Sequence, residues 1–128
     1  VGKVHGIIIH SGEWDKVYHA FNIASVYSSL GEEVVVFLTY WAVDTIVNKK
    51  IDCGDKERTE IICREINSGK IRRLDEAIKI GKAFGKLRVV VCSATLEILG
   101  IDENKLPSWV DGVGGLTEVL ESNNLVFI

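Results

Sequence analysis

Methionine and glutamine are absent from this chain of 128 residues, proline occurs once and cysteine three times. An odd number of thiols, with no CxxC pair and no Cys/His spacing of the zinc-finger kind, describes neither a disulfide framework nor a structural metal site. A reducing, cytoplasmic setting without a resident metal is the expectation. Long apolar runs are also missing. The longest nearly unbroken one, Val34 to Val43, is interrupted by Thr39 and is about half of the ~20 residues that a spanning helix needs. No membrane span is expected, and no secretory segment is visible. Basic excess is lacking as well: 15 Lys and Arg against 18 Asp and Glu give a formal net charge of −3, whereas a general nucleic-acid binder carries a strong positive balance. The one basic cluster, Lys70, Arg72 and Arg73, reads as a solvated edge. Neither GxGxxG after the first apolar run nor GxxxxGK[ST] anywhere is found, so a dinucleotide or nucleoside triphosphate would lack its usual cradle. Abundant Ile, Val, Lys and Glu beside the missing Met and Gln lean toward a thermophile's composition.

What is present is an alternation of buried-type strands and amphipathic helices, in a chain whose 128 residues suit a single domain, 1–128. Val4 to His10 and Glu33 to Thr39 are continuous apolar runs, as strands buried on both faces require. Between them Val17, Ala20, Phe21, Ala24 and Tyr27 recur at helical spacing over Asp15 to Leu30, and Gly31 ends that helix. Tyr40 to Asn48 reads as helical, Lys49 to Arg58 as a loop. Thr59 to Ile66 and Leu74 to Phe84 read as amphipathic helices separated by Asn67-Ser68-Gly69. A third strand runs from Leu87 to Cys92. Beyond it come one helical turn capped by Asp102 and closed by Pro107, a brief strand at Trp109 to Asp111, a glycine turn at Gly112 to Gly115, a helix at Leu116 to Leu120 and a terminal strand at Leu125 to Ile128. Strands alternating with helices imply a parallel sheet covered on both faces.

The most informative position is Cys92, a thiol at a strand-to-helix corner. Ser93 is a candidate N-cap, Ala94 to Leu99 a short helix and Gly100 its stop. Unpaired backbone N–H groups at such a corner favour an anion, and the thiolate rather than the thiol is the nucleophile. Because parallel strands point their carboxyl ends to one edge, that edge would also carry His10, Ser11 and Gly12, then Thr39, Tyr40 and Trp41, then Ser93, then the glycine turn. A thiol, an imidazole, hydroxyls and aromatic rings on one rim are the convergence expected of a site. The plain alternative for Cys92 is a small buried hydrophobe, and for His10 a satisfied structural group.

Four blocks resemble the DsrE/DsrF-like sulfur-relay family, whose members include TusD-type sulfurtransferase subunits. SGEWDK at Ser11 to Lys16 is similar to its SGDxDK loop, and VVFLTYWAV at Val35 to Val43 to a strand ending in a TFWG-like turn. VCSATLEILGI at Val91 to Ile101 is similar to the CxMSMxxMGI segment that holds the sulfur-carrying cysteine in one branch. WVDGVGGLTEVL at Trp109 to Leu120 resembles a VEVGGVATYL close. Ala94, Thr95, Leu96, Ile98 and Leu99 stand where methionines are frequent in that branch, and Lys49 to Arg73 matches poorly.

The resemblance implies a three-layer α/β/α domain with a mostly parallel five-stranded sheet, assembled into homotrimers or homohexamers. It implies a sulfur carrier or sulfurtransferase whose cysteine holds sulfane sulfur or thiosulfonate and passes it to a partner thiol. That role falls on Cys92. His10 would assist the chemistry; Ser11, Gly12, Thr39, Trp41, Ser93, Ala94 and Thr95 would line the site. Cys53 and Cys63 match no family motif. The partners implied are a sulfur donor or a small sulfur-carrier protein, and no cofactor is implied. Two readings of other classes stay open: a flavodoxin-like FMN module, with Tyr40 and Trp41 stacked on the ring, and a non-catalytic subunit of a relay complex.

Overall fold

A computed structural model of the protein describes residues 3–48 and 60–128. Five strands, β1 (Val4–Ile9), β2 (Glu33–Leu38), β3 (Leu87–Cys92), β4 (Gly112–Gly114) and β5 (Asn124–Phe127), form one sheet in the order β4-β3-β2-β1-β5. Every pairing is parallel. The helices are α1 (Trp14–Ser29), α2 (Trp41–Asn48), α3 (Glu60–Asn67), α4 (Leu74–Ala83), α5 (Ser93–Leu99) and α6 (Thr117–Leu120). Together they make a three-layer α/β/α fold. In β1 and β2 the last five residues are all buried, so the continuous apolar runs of the sequence mark strands covered on both faces.

Strand order and crossover hand together account for the layers. From β1 through β4 each successive strand is added on the same side, and right-handed crossovers then keep the intervening helices on one face. Val17, Ala20, Phe21 and Ala24 of α1, Val43 of α2, Leu74 and Ile78 of α4 and Leu96 of α5 accordingly share a core with Ile7, Ile9, Val36, Leu38, Val89 and Val91. The return from β4 to β5 crosses the sheet in the opposite direction and delivers α6 to the other face. There Val119 packs on Ile8, Val35, Phe37 and Val90. Each fully buried side chain of this size contributes about 1.5–3 kcal/mol of transfer free energy. Helix α1 lies close on α4 because Ser25 and Ser28 donate to the Ala77 and Gly81 carbonyls at 2.7 and 2.6 Å. A Cβ at Gly81 would come within 2.8 Å of Leu87.

Two expectations are corrected by the fold. The fourth strand lies at Gly112–Gly114, not at Trp109 to Asp111, and the glycines form the edge strand instead of a turn. Asp111 decides the register: its N–H donates to Val89 O at 2.8 Å, and its Oδ2 accepts from Val89 N–H at 2.7 Å and from Lys82 Nζ. This clamp docks the segment one residue before the glycines, so pairing with β3 overrides their turn preference. Trp109 is left to pack edge-on against Phe21, with ring centroids 5.5 Å apart. Second, Cys63, on α3, is disulfide-bonded, which departs from the expectation of a chain without disulfides. Cys53 and the expected loop at 49–58 lie outside the described residues. The single turn capped by Asp102 is present as a 3-10 turn, Glu103–Lys105, with Asp102 Oδ1 accepting from Asn104 N–H. At the sheet's amino end His5 is buried against Tyr27, its Nε2 2.6 Å from Glu32 and its Nδ1 3.2 Å from Asn124, a structural group far from the carboxyl edge.

Candidate active site

Strand β3 runs into α5 without an intervening residue, so Cys92 is at once the last strand residue and the helix cap, with φ −64° and ψ 119°. Ser93, expected as the cap, is instead the first helical residue and is exposed. Gly100 closes the helix in the left-handed region at φ 64°, as its position before Ile101 suggested. The Cys92 thiol is half-buried and is the one free cysteine among the described residues. Burial pushes its pKa up, but donors around the sulfur outweigh that and leave the net shift downward: the hydroxyl and N–H of Thr95, the hydroxyl of Thr39 and the N–H of Ala94. No cap hydrogen bond of ordinary length is formed from the Cys92 side chain. The donors therefore act as electrostatic stabilisers of a large, diffuse thiolate.

Behind the sulfur stands a short polar chain that joins two strand ends. Thr95, fully buried, accepts from the Tyr40 N–H at 2.9 Å and lies 3.2 Å from Thr39 Oγ1. With one lone pair taken by Tyr40, the Thr95 hydrogen is directed to Thr39 or to the sulfur. Tyr40 reaches this position at φ 47°, a conformation that costs a residue with a side chain about 1–2 kcal/mol. That strain sits at the turn from β2 into α2, beside the thiol. The backbone N–H of Tyr40 is the part of the candidate site that the sequence did not reveal. Gly114, expected in a glycine turn on this rim, instead pairs as a strand residue with Cys92 at the edge of the sheet.

The remaining expected site residues are placed elsewhere on the rim. His10 follows β1, two strands away from β3, with its ring 5.2 Å from Tyr40 and 5.9 Å from Phe127. Ser11 Oγ accepts from the Glu13 N–H at the start of α1, and the Gly12 carbonyl accepts from Thr45 at 2.6 Å. Gly12 is needed there because a Cβ would meet Trp41 Cβ at 2.9 Å. The bond from Thr45 to the Gly12 carbonyl straps the first loop to α2. Trp41 is half-exposed and tilted against Tyr40. The structure thus brings Thr39, Ala94 and Thr95 to Cys92 and leaves His10, Ser11, Gly12 and Trp41 as a neighbouring wall.

The strand order reverses between β1 and β5, where an open α/β sheet places a ligand crevice. Here the N–H groups of His10 and Ser11 both donate to Ile128 O, at 2.7 and 3.2 Å, and are withdrawn from any phosphate. A flavodoxin sheet, moreover, runs in the order 2-1-3-4-5, with β1 beside β3; here β1 lies between β2 and β5.

Fold and site define an α/β/α protein with a free thiol, Cys92, at the carboxyl edge of a parallel sheet. The DsrE/DsrF-like family model matches residues 3–124, and the chain belongs to that family, which is associated with sulfur relay. No curated protein matches the chain. Among the described residues no helix is long and apolar enough to cross a membrane.

Proposed function

We propose that the protein is a sulfur carrier or sulfurtransferase in which Cys92 receives sulfane sulfur from a donor and yields it to a partner protein thiol. The observation that carries this reading is the placement of a half-buried free thiol, Cys92, at the strand-to-helix corner beside Thr39, Ala94 and Thr95, whose donors favour its ionised form, because sulfur exchange requires a thiolate. In the loading step the Cys92 thiolate attacks the outer sulfur of a donor persulfide, R–S–SH. The new S–S bond forms as the old one breaks, giving Cys92–S–SH and R–S⁻. In the delivery step a partner thiolate, R′–S⁻, attacks that same outer sulfur, giving R′–S–SH and restoring the Cys92 thiolate. Electrons balance within each exchange, so no external oxidant or reductant is consumed. The donors that stabilise the resting thiolate also suit Cys92 as leaving group in the second step.

His10 enters this reading as a rim residue that meets the incoming partner, together with Tyr40, Trp41 and Phe127. The large exposed rings of Tyr40, Trp41 and Phe127 also support assembly into a homotrimer or homohexamer, since small monomers seldom expose such patches. The test is incubation with a low-molecular-weight persulfide, followed by intact and peptide mass spectrometry. Wild-type protein gains one sulfur at Cys92, reversible by thiol reductant; Cys92→Ser gains none there and passes none to a small acceptor protein while staying folded. An inert Cys92 would instead leave a non-catalytic subunit of a relay complex.

A further inference from the structure

The pairing of β2 with β3 ends on an N–H that its own ladder does not serve. The ladder joins the Val34 N–H to Lys86 O at 2.9 Å and sets Leu38 beside Val91, so steps of two residues along it would carry the Tyr40 N–H to the Cys92 carbonyl. That carbonyl is committed elsewhere, because Cys92 caps α5 and a cap C=O accepts the first bond of its helix. The Thr95 hydroxyl stands in for it, accepting from Tyr40 at 2.9 Å. On the other side of β2 the Thr39 N–H still reaches Ile9 O at 3.0 Å, and the Thr39 carbonyl accepts from Ala42 as the chain turns into α2. Between these fixed points Tyr40 is the one non-glycine residue with a positive φ among the described residues, at 47°. A residue with a side chain stays in that region only where its surroundings hold it, and such positions gather at functional sites.

A hydroxyl has one hydrogen and two lone pairs. With the Tyr40 N–H on one lone pair of Thr95, the Thr95 hydrogen points away from Tyr40. Thr39 Oγ1, 3.2 Å away, is one neighbour, and the Cys92 sulfur, at the cap three residues before Thr95, is the other. If Thr95 donates to the sulfur, Thr39 donates to Thr95; if Thr95 donates to Thr39, the Thr39 hydrogen is left for the sulfur. Either way one hydroxyl hydrogen faces Cys92. We infer that Tyr40 is a positioning residue for the Cys92 thiolate: its backbone N–H, aimed by the left-handed turn, occupies the acceptor side of Thr95 and commits a threonine hydrogen to the sulfur. Without that N–H the Thr95 hydroxyl is free to turn to the carbonyl one helical turn back, as helical threonines do, and the polarisation passed along the chain is lost. The inference rests on the sulfur-relay reading only for what the thiolate exchanges.

The test separates the backbone of Tyr40 from its ring. Tyr40→Val, Tyr40→Asn and Tyr40→Gly all lack the ring, but glycine and asparagine tolerate a positive φ and a β-branched residue does not. Iodoacetamide alkylation of Cys92 is followed against pH by peptide mass spectrometry, with urea unfolding as the check on folding. Tyr40→Val alkylates several-fold more slowly near neutral pH and reaches half its plateau at a higher pH, while Tyr40→Asn and Tyr40→Gly restore the wild-type profile. A packing role would move stability and leave the profile where it was. Should Tyr40→Val fail to fold, the wild type decides: in nitrogen–proton correlation spectra the Tyr40 amide is protected from exchange, and its shift inflects at the alkylation midpoint of Cys92, an inflection that Cys92→Ser removes. The His10 ring, 5.2 Å from the Tyr40 ring, is present in both proteins, so its protonation cannot mimic that loss. Wild-type alkylation in Tyr40→Val overturns the inference, as do Asn and Gly variants as slow as the Val variant, or a Tyr40 amide indifferent to Cys92. Persulfide loading slows in Tyr40→Val by the same factor as alkylation; the alkylation pattern without any loading would sink the relay reading and leave the positioning role standing.

Discussion

Replacing Thr95 by valine keeps the shape of a fully buried side chain and removes one hydroxyl with two duties. The first is donation toward the Cys92 sulfur. A hydrogen bond to a charged group contributes about 1.5–3 kcal/mol; for a half-buried sulfur the lower end applies, which is about a tenfold loss in the thiolate equilibrium and moves the Cys92 pKa upward. The second duty is acceptance from the Tyr40 N–H at 2.9 Å, and leaving that donor without a partner costs about 1–3 kcal/mol of stability. The assay is the pH dependence of iodoacetamide alkylation at Cys92, read by peptide mass spectrometry, beside urea unfolding. In wild type the rate reaches half its plateau at a lower pH than for a free thiol, since the native pKa is lowered. Thr95→Val moves that midpoint up and lowers the rate near neutral pH about tenfold. Thr95→Ser restores the hydroxyl, and with it the midpoint. An alkylation midpoint unchanged in Thr95→Val would refute the account of the thiolate, and a loss of stability without that shift would reduce Thr95 to a packing residue.

Gly12→Ala forces a Cβ to within 2.9 Å of Trp41 Cβ and 3.0 Å of the Trp41 carbonyl; the expected cost is about 1–3 kcal/mol in urea unfolding, and a neutral effect would show that the first loop is not strapped to α2. Sedimentation should give a trimer or hexamer at working concentration, whereas a clean monomer would remove the assembly proposed from the rim aromatics.

Much of the molecule could be read along the chain because its signals are local. Continuous apolar runs at Val4–Ile9 and Glu33–Leu38 mark strands buried on both faces, helical spacing at Val17, Ala20, Phe21 and Ala24 marks the face of α1, and alternation of the two predicts a parallel sheet. Cys92 could be placed at its corner for the same reason, with Gly100 as the stop of α5. What governs the sulfur is not local. Thr39 and Thr95 are separated by 56 positions, and they meet because β2 and β3 pair side by side with their carboxyl ends together. No periodicity along either segment encodes that distance. The same limit explains β4: the turn preference of three glycines within four residues is a local signal, and the clamp of Asp111 on Val89 and Lys82 is tertiary. His10 and Cys92 occupy the same edge, as parallel strands require, yet two strand spacings keep their roles apart. Sequence determined which groups face the rim; strand order and register decided which of them reach the thiol, because neighbours in a sheet are chosen by packing across the fold and not by position along the chain.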